Sequence, residues 1–170
     1  MSDFKDLIRD VPDFPKPGIL FKDITPVLGD PEAFGQVIDR LADLVKDRKI
    51  DKVAGMEARG FIFGSVLALR LGVGFIPVRK KGKLPAASVS VTYDLEYGTD
   101  TLEMHEDALA EGETVLVVDD LLATGGTAAA TGELIAKAGG KVDSYLFVIE
   151  LDFLEGRKKL GGEVHSLVHV

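Results

Sequence analysis

Val115-Leu116-Val117-Val118-Asp119-Asp120-Leu121-Leu122-Ala123-Thr124-Gly125-Gly126-Thr127 is the stretch that decides the fold. The apolar, β-branched run Thr114 to Val118 reads as a strand buried on both faces. Two acids follow it, then a loop with paired glycines, then a predicted helix over about 126–138 that ends at Gly139-Gly140. A fully apolar strand feeding a glycine loop and a helix is the repeating unit of an α/β sheet.

The same alternation extends outward in both directions. Asp30 as N-cap and Pro31 at the first helical position predict a helix over 31–47, with Phe34, Val37, Ile38, Leu41, Leu44 and Val45 on one buried face. Lys52 to Met56 reads as a short buried strand running into Glu57-Ala58-Arg59-Gly60, and a helix over 61–71 stops at Gly72. Gly74 to Val78 is the next strand, with Pro77 placing it near an edge or a strand end. Ser88 to Tyr93 and Thr99 to Met104 read as a hairpin-like excursion from the core, and 142–150 and 163–170 as two more strands. The pattern predicts one α/β domain over 1–170, with a mostly parallel central sheet flanked by helices. Ligands in such sheets sit beyond the carboxyl ends of the strands, which singles out 57–60, 79–83 and 119–127.

Composition narrows the function. The 170 residues carry 28 acids against 20 Lys and Arg, a net charge of −8, which argues against nucleic acid or a membrane surface as partner. With no cysteine there is no disulfide, thiolate metal site or Cys nucleophile. The charged start Met1-Ser2-Asp3-Phe4-Lys5-Asp6 is unlike a signal peptide, and no apolar run nears the ~20 residues of a membrane span. A soluble cytoplasmic protein is the expectation.

The loop after the decisive strand reads as a cradle for one phosphate. Gly125 and Gly126 let a ligand approach the backbone, successive N–H groups point at one anion, and the following helix adds its positive dipole end. Thr124 and Thr127 add hydroxyl donors. The Gly-Lys-Ser/Thr ending of a triphosphate loop is absent, as is the Gly-x-Gly-x-x-Gly of a dinucleotide site. A sugar monophosphate fits best. Asp119 and Asp120 would repel a phosphate unless they face a ribose diol or a hydrated Mg²⁺; the plainer alternative is a strand-ending turn.

These residues resemble the phosphoribosyl pyrophosphate motif of the type I phosphoribosyltransferases, and the chain is most similar to the adenine-directed members. Phe14 to Pro26, Glu57-Ala58-Arg59-Gly60-Phe61, Arg79 to Pro85 and Leu95-Glu96-Tyr97-Gly98 match in the family's order, so the likeness runs from residue 12 to about 157. It implies the type I fold, with a small hood over about 1–30 and a flexible lid over about 84–106. It also implies a homodimer that joins adenine to phosphoribosyl pyrophosphate, giving AMP and pyrophosphate, with Mg²⁺ held through substrate and water.

By the same resemblance Ala123, Thr124, Gly125, Gly126 and Thr127 bind the 5′-phosphate, and Asp119 and Asp120 face the ribose. Glu57, Ala58, Arg59, Arg79 and Lys83 take the pyrophosphate, with the basic pair able to reach across a dimer. Glu96 is the catalytic candidate, and Leu20, Phe21 and Leu151 line the base pocket. A cation is poorly placed at a helix start, so Arg59 there suggests an anionic ligand. Arg79 to Lys83 also reads as a solvated turn, Glu96 as a surface charge, and Leu20, Phe21 and Leu151 as core. A xanthine- or guanine-directed enzyme, or a regulator that kept the site and lost catalysis, are the competing functions. His165 and His169 would stand ~13 Å apart on a strand, too far to share a metal. His105 reads as a surface residue, and Met1, Met56 and Met104 form no stripe.

Overall fold

A computed structural model describes residues 3–170; Met1 and Ser2, at the start of the expected hood, lie outside the described residues. After a 3₁₀ turn at Phe4–Leu7 comes an antiparallel hairpin, β1 (Arg9–Pro12) and β2 (Leu20–Asp23), followed by a short helix α1 (Thr25–Gly29) and by α2 (Pro31–Asp43). Asp30 caps α2 as expected, its Oδ1 accepting from the Ala33 N–H at 2.9 Å, with Pro31 in the first turn. The helix ends at Asp43 rather than 47. Its last turn tightens, with Val45 N–H bonding Ala42 O at 3.1 Å, although Val45 remains buried.

Next come β3 (Lys52–Met56), α3 (Arg59–Leu71), β4 (Gly74–Lys80), and the hairpin β5 (Ser88–Asp94) and β6 (Thr99–His105). β7 (Thr114–Leu122), α4 (Gly126–Lys137), β8 (Lys141–Glu150) and β9 (Glu163–His169) complete the order. The strands from β3 onward form a seven-stranded sheet in the order β5-β6-β4-β3-β7-β8-β9. β3, β4, β7, β8 and β9 are parallel, and the β5–β6 pair is antiparallel.

Period-two alternation explains why both sheet faces are apolar. Val53, Leu116 and Val118 pack with α2 and α3 on one face; Ala54, Val115 and Val117 pack with α4 on the other. No helix among the described residues is long and apolar enough to cross a membrane.

Three expected boundaries move, two of them because a neighbouring strand carries the ladder further. β7 runs on through Leu122, paired with β8 to Leu122↔Glu150, so Asp119 and Asp120 belong to the strand rather than terminating it. α3 starts at Arg59, two residues early. β4 includes Arg79 and Lys80, paired with Glu103 and Leu102 of β6, so they are not part of a free turn. Pro77 lies in an interior strand, but that β6 ladder does not reach it, leaving pairing on the β3 side alone. The 88–104 excursion is also a sheet extension: Val91, Leu102 and Met104 are buried in the core on the α4 side.

Candidate active site

β3 and β7 are hydrogen-bonded neighbours, from Lys52↔Val115 to Gly55↔Val118, so the loops beyond their carboxyl ends open side by side. Beyond β7, Ala123 to Thr127, with Asp119 and Phe147, enclose a cavity of about 80 Å³. Gly125 stands at φ 84° as the N-cap of α4, a backbone that an L side chain rarely adopts. The first-turn N–H groups at Gly126 and Thr127 have no helical acceptor behind them and are available to an anion. Thr127 Oγ1 lies 3.3 Å from the Tyr93 hydroxyl, which ties the cradle to the β5–β6 hairpin.

Beyond β3, cations and carboxylates interlock. Arg59 opens α3, and its Nε donates to Asp120 Oδ2. That bond answers the expected conflict at the helix start within the protein itself: the guanidinium is balanced by a carboxylate, and Asp120 holds the Arg59 pKa above its ordinary value despite burial. Glu57 accepts from the Lys80 N–H at 2.7 Å and from Lys83 Nζ at 2.9 Å, and Arg79 Nε lies 3.5 Å from Glu57 Oε1. Burial pushes the Glu57 carboxyl up, but Lys83, the Lys80 N–H and Arg79 together bring it below its ordinary value. The Glu57 N–H is already bonded to Val78 O at 3.0 Å, so this residue holds the cations rather than offering an anion donor. Arg79 Nε is buried and faces the Glu57 carboxylate without reaching hydrogen-bond geometry. Arg79 and Lys83 both sit beside this chain's own 57–59 loop.

Asp119 lies between the two loops. It lines the phosphate cavity, accepts from the Asp120 N–H at 2.8 Å, and stands so close to α3 that a Cβ on Gly60 would be 3.0 Å from its Oδ1. Burial, reinforced by the charge of Asp120, raises its pKa well above the ordinary carboxylate range. A carboxyl in that state gains from hydroxyl donors or a cation.

Glu96 is exposed at the tip of the β5–β6 hairpin. It shares a cleft of about 840 Å³ with Tyr93, Thr124, Gly126 and Thr127. Leu151 joins β7 through its N–H to Leu122 O at 2.9 Å. Leu20 and Phe21 lie on the N-terminal hairpin, Leu20 half exposed and Phe21 edge-on to Phe14 at 5.2 Å. Neither is core. That hairpin meets the loops through Asp23, whose charge acts on Arg59.

Beyond Leu151, which the sequence singles out, the 152–159 segment also lines the site. Leu154 and Lys159 face the cleft with Thr124 and Thr127, and Gly156 touches the phosphate loop. The signal was present, since this segment follows the carboxyl end of β8 just as the other three loops follow theirs.

The phosphoribosyl transferase domain model matches residues 28–161. An adenine phosphoribosyltransferase of Solibacter usitatus is 62% identical over 169 residues, covering 99% of this chain and 98% of that protein. The chain belongs to the adenine phosphoribosyltransferase family. The crystal structure of the Thermoanaerobacter pseudethanolicus member superposes with a TM-score of 0.95 at 58% identity, covering 98% of each chain. The Saccharomyces cerevisiae member, solved with adenine and an imino-altritol bisphosphate, has a TM-score of 0.92 at 46% identity over 96% of each chain. Membership makes this a glycosyltransferase-class enzyme on the type I phosphoribosyltransferase fold.

Proposed function

We propose that the protein transfers the phosphoribosyl group of 5-phosphoribosyl 1-pyrophosphate to adenine, releasing AMP and pyrophosphate in purine salvage. The observation that carries this reading is the placement of Asp119 and Asp120 between an uncharged phosphate cradle and a cluster of three cations. A substrate with a 5′-phosphate, a ribose and a 1-pyrophosphate presents its charges in that order.

Ala123 to Thr127 hold the 5′-phosphate through backbone N–H groups and threonine hydroxyls. Asp119 and Asp120 accept from the ribose hydroxyls and favour the positive charge that develops at the anomeric carbon as the C1–O bond to pyrophosphate breaks. Arg59, Arg79 and Lys83 neutralise the departing pyrophosphate, with Glu57 and Ala58 shaping the loop that presents them. Glu96, over the same cleft, takes the proton lost from the adenine ring nitrogen as its bond to C1 forms. Leu20, Phe21 and Leu151 close on the base, where the exocyclic amino donor of adenine differs from the carbonyl acceptor of guanine. The hood at 1–30 and the lid at 84–106 exclude water during transfer.

Mg²⁺ fits the donor set. The carboxyl of Asp119, which makes no ion pair among the described residues, and the neighbouring Asp120 suit a hydrated ion that retains substrate phosphates as its main ligands. When bound, the ion would offset the charge of the pyrophosphate. A homodimer is part of the same reading, supported by the exposed apolar residues Ile62, Val66 and Leu69 at helical spacing on α3. Action in the cytoplasm is supported by a chain with no cysteine.

The test is pyrophosphate release with Mg²⁺ and each purine base in turn. Release with adenine is expected, and chelation of Mg²⁺ abolishes it. Release with xanthine or guanine but not adenine overturns the specificity, and release with none favours a regulatory protein.

A further inference from the structure

Glu150, the last residue of β8, is 2% exposed, and both its carboxylate oxygens are occupied. Arg157 donates Nε to Oε1 and Nη2 to Oε2, each at 2.6 Å, and Ser166 Oγ donates to Oε2 at 2.6 Å. A bidentate guanidinium–carboxylate pair sets orientation as well as distance. His169 and Asp152 stand beside Glu150 in an arrangement that could otherwise take a metal ion. With the Arg157 fork already on it, the carboxylate serves as an anchor for the 152–159 segment.

The neighbour of Arg157 is Gly156, and there the segment meets the phosphate loop. A Cβ on Gly156 would run into Ala123 O and stand 3.1 Å from Gly125 N; a Cβ on Gly125 would run into Gly156 O. Two backbones therefore touch where neither position has room for a methyl group. The loop needs an outside support. Gly125 caps α4 without any side-chain hydrogen bond, so nothing within the loop's own side chains at that cap sets the direction of the following N–H groups.

We propose that the Glu150–Arg157 pair positions the phosphate loop: it presses Gly156 against Ala123 and Gly125 and so holds the loop's N–H groups in the geometry a sugar phosphate requires. This rests on the reading of 119–127 as the phosphoribosyl site. Arg157 is a positioning residue, acting through Gly156 without touching substrate.

A matched structural control exists at the other end of the same strands. Arg48 bonds Asp143 of β8 at 3.1 Å and Glu163 of β9 at 2.7 Å, seven residues before Glu150, or roughly 23 Å away along the strand. It ties the sheet together without reaching the loop.

The experiment measures ribose 5-phosphate binding by calorimetry, with steady-state KM values for both substrates and melting temperatures, on the full-length protein. Arg157→Ala is expected to weaken ribose 5-phosphate and raise the KM for phosphoribosyl pyrophosphate by about tenfold or more, with the KM for adenine within about twofold. Arg157→Lys restores part of the loss, and Arg48→Ala lowers the melting temperature without weakening ribose 5-phosphate. Gly156→Ala keeps the ion pair but forces the loop aside, so it is expected to lose sugar-phosphate binding too, and it carries the test should Arg157→Ala not fold. Unchanged ribose 5-phosphate affinity in folded Arg157→Ala or Gly156→Ala overturns the proposal, as does an equal loss in Arg48→Ala. Failure of the native protein to bind ribose 5-phosphate overturns the site reading itself, and the proposal with it.

Discussion

Two loops open side by side at the carboxyl edge of the sheet, each leading from a strand into a helix, and they handle charge in opposite ways. The loop from β7 to α4 carries no charged side chain between Leu121 and Thr127; its attraction for an anion comes from backbone N–H groups, two hydroxyls and a helix end. The loop from β3 to α3 is surrounded by Arg59 of α3, Arg79 of β4 and Lys83 beyond β4, each beside a carboxylate, Asp120 for the first and Glu57 for the others. On the proposed function the difference matches two fates. A 5′-phosphate stays attached through the reaction and needs only fixed geometry. Pyrophosphate must be attracted and then released, and cations already paired with carboxylates exchange partners without becoming bare charges.

The largest expected effect breaks the geometric loop. Gly125→Val is expected to lower kcat/KM for phosphoribosyl pyrophosphate by about 10²-fold or more, because the side chain collides with Gly156 O and the backbone disfavours it. Gly126→Ala is the contrast, since its Cβ would meet the Tyr93 ring at 3.4 Å and Asp94 O at 4.0 Å, both ordinary contacts; a loss beyond about threefold there would show the cradle to be tighter than described. Glu96→Gln, facing the same cradle, should lower kcat by about 10²-fold while leaving ribose 5-phosphate affinity unchanged by calorimetry. Unaltered turnover would remove Glu96 from proton transfer.

Next in size is Arg59→Ala on the charged loop. A loss of about tenfold in kcat/KM is expected, with a lower melting temperature because Asp120 is left buried and unpaired. Asp120→Asn added to Arg59→Ala should recover part of that melting temperature. No recovery would mean that Arg59 contributes through packing instead of charge.

The smallest effects distinguish the loops by sign. The pKa of Glu57 is lowered in the folded protein, so its pairing stabilises above the ordinary carboxylate value, and that stability is lost as pH falls through the depressed one. The pKa of Asp119 is raised, so the group costs stability at pH above the raised value, and the cost shrinks as pH falls through that value and is gone below the ordinary carboxylate one. At pH 7, Glu57→Gln should lower and Asp119→Asn raise the melting temperature, each by about 2–4 °C, with both differences shrinking toward pH 3. Shifts of the same sign would contradict the opposite roles given to the two loops.

Much of the scaffold was legible because its determinants are local. The Asp30 cap, Pro31 at the helix start, Gly72 at φ 71° closing α3, and the period-two apolar strands each act within a few residues. The loop at 123–127 was legible as a glycine turn into a helix for the same reason, since its glycines, threonines and helix start are contiguous. Strand ends were less so. Asp119 and Asp120 look like a terminus, yet β8 extends the ladder past them, and Arg79 looks like a turn residue until β6 pairs with it.

The sequence by itself determined the order of elements, the uncharged glycine loop and the family, because backbone preference and apolar period are properties of neighbouring residues. Only the tertiary structure decided which distant groups meet: Arg59 with Asp120 across 61 positions, Lys83 with Glu57 across 26, and Gly156 with the Gly125 backbone. Those contacts depend on how parallel strands align their carboxyl ends, and that alignment is set by burial on both faces of the sheet together, which no single segment encodes.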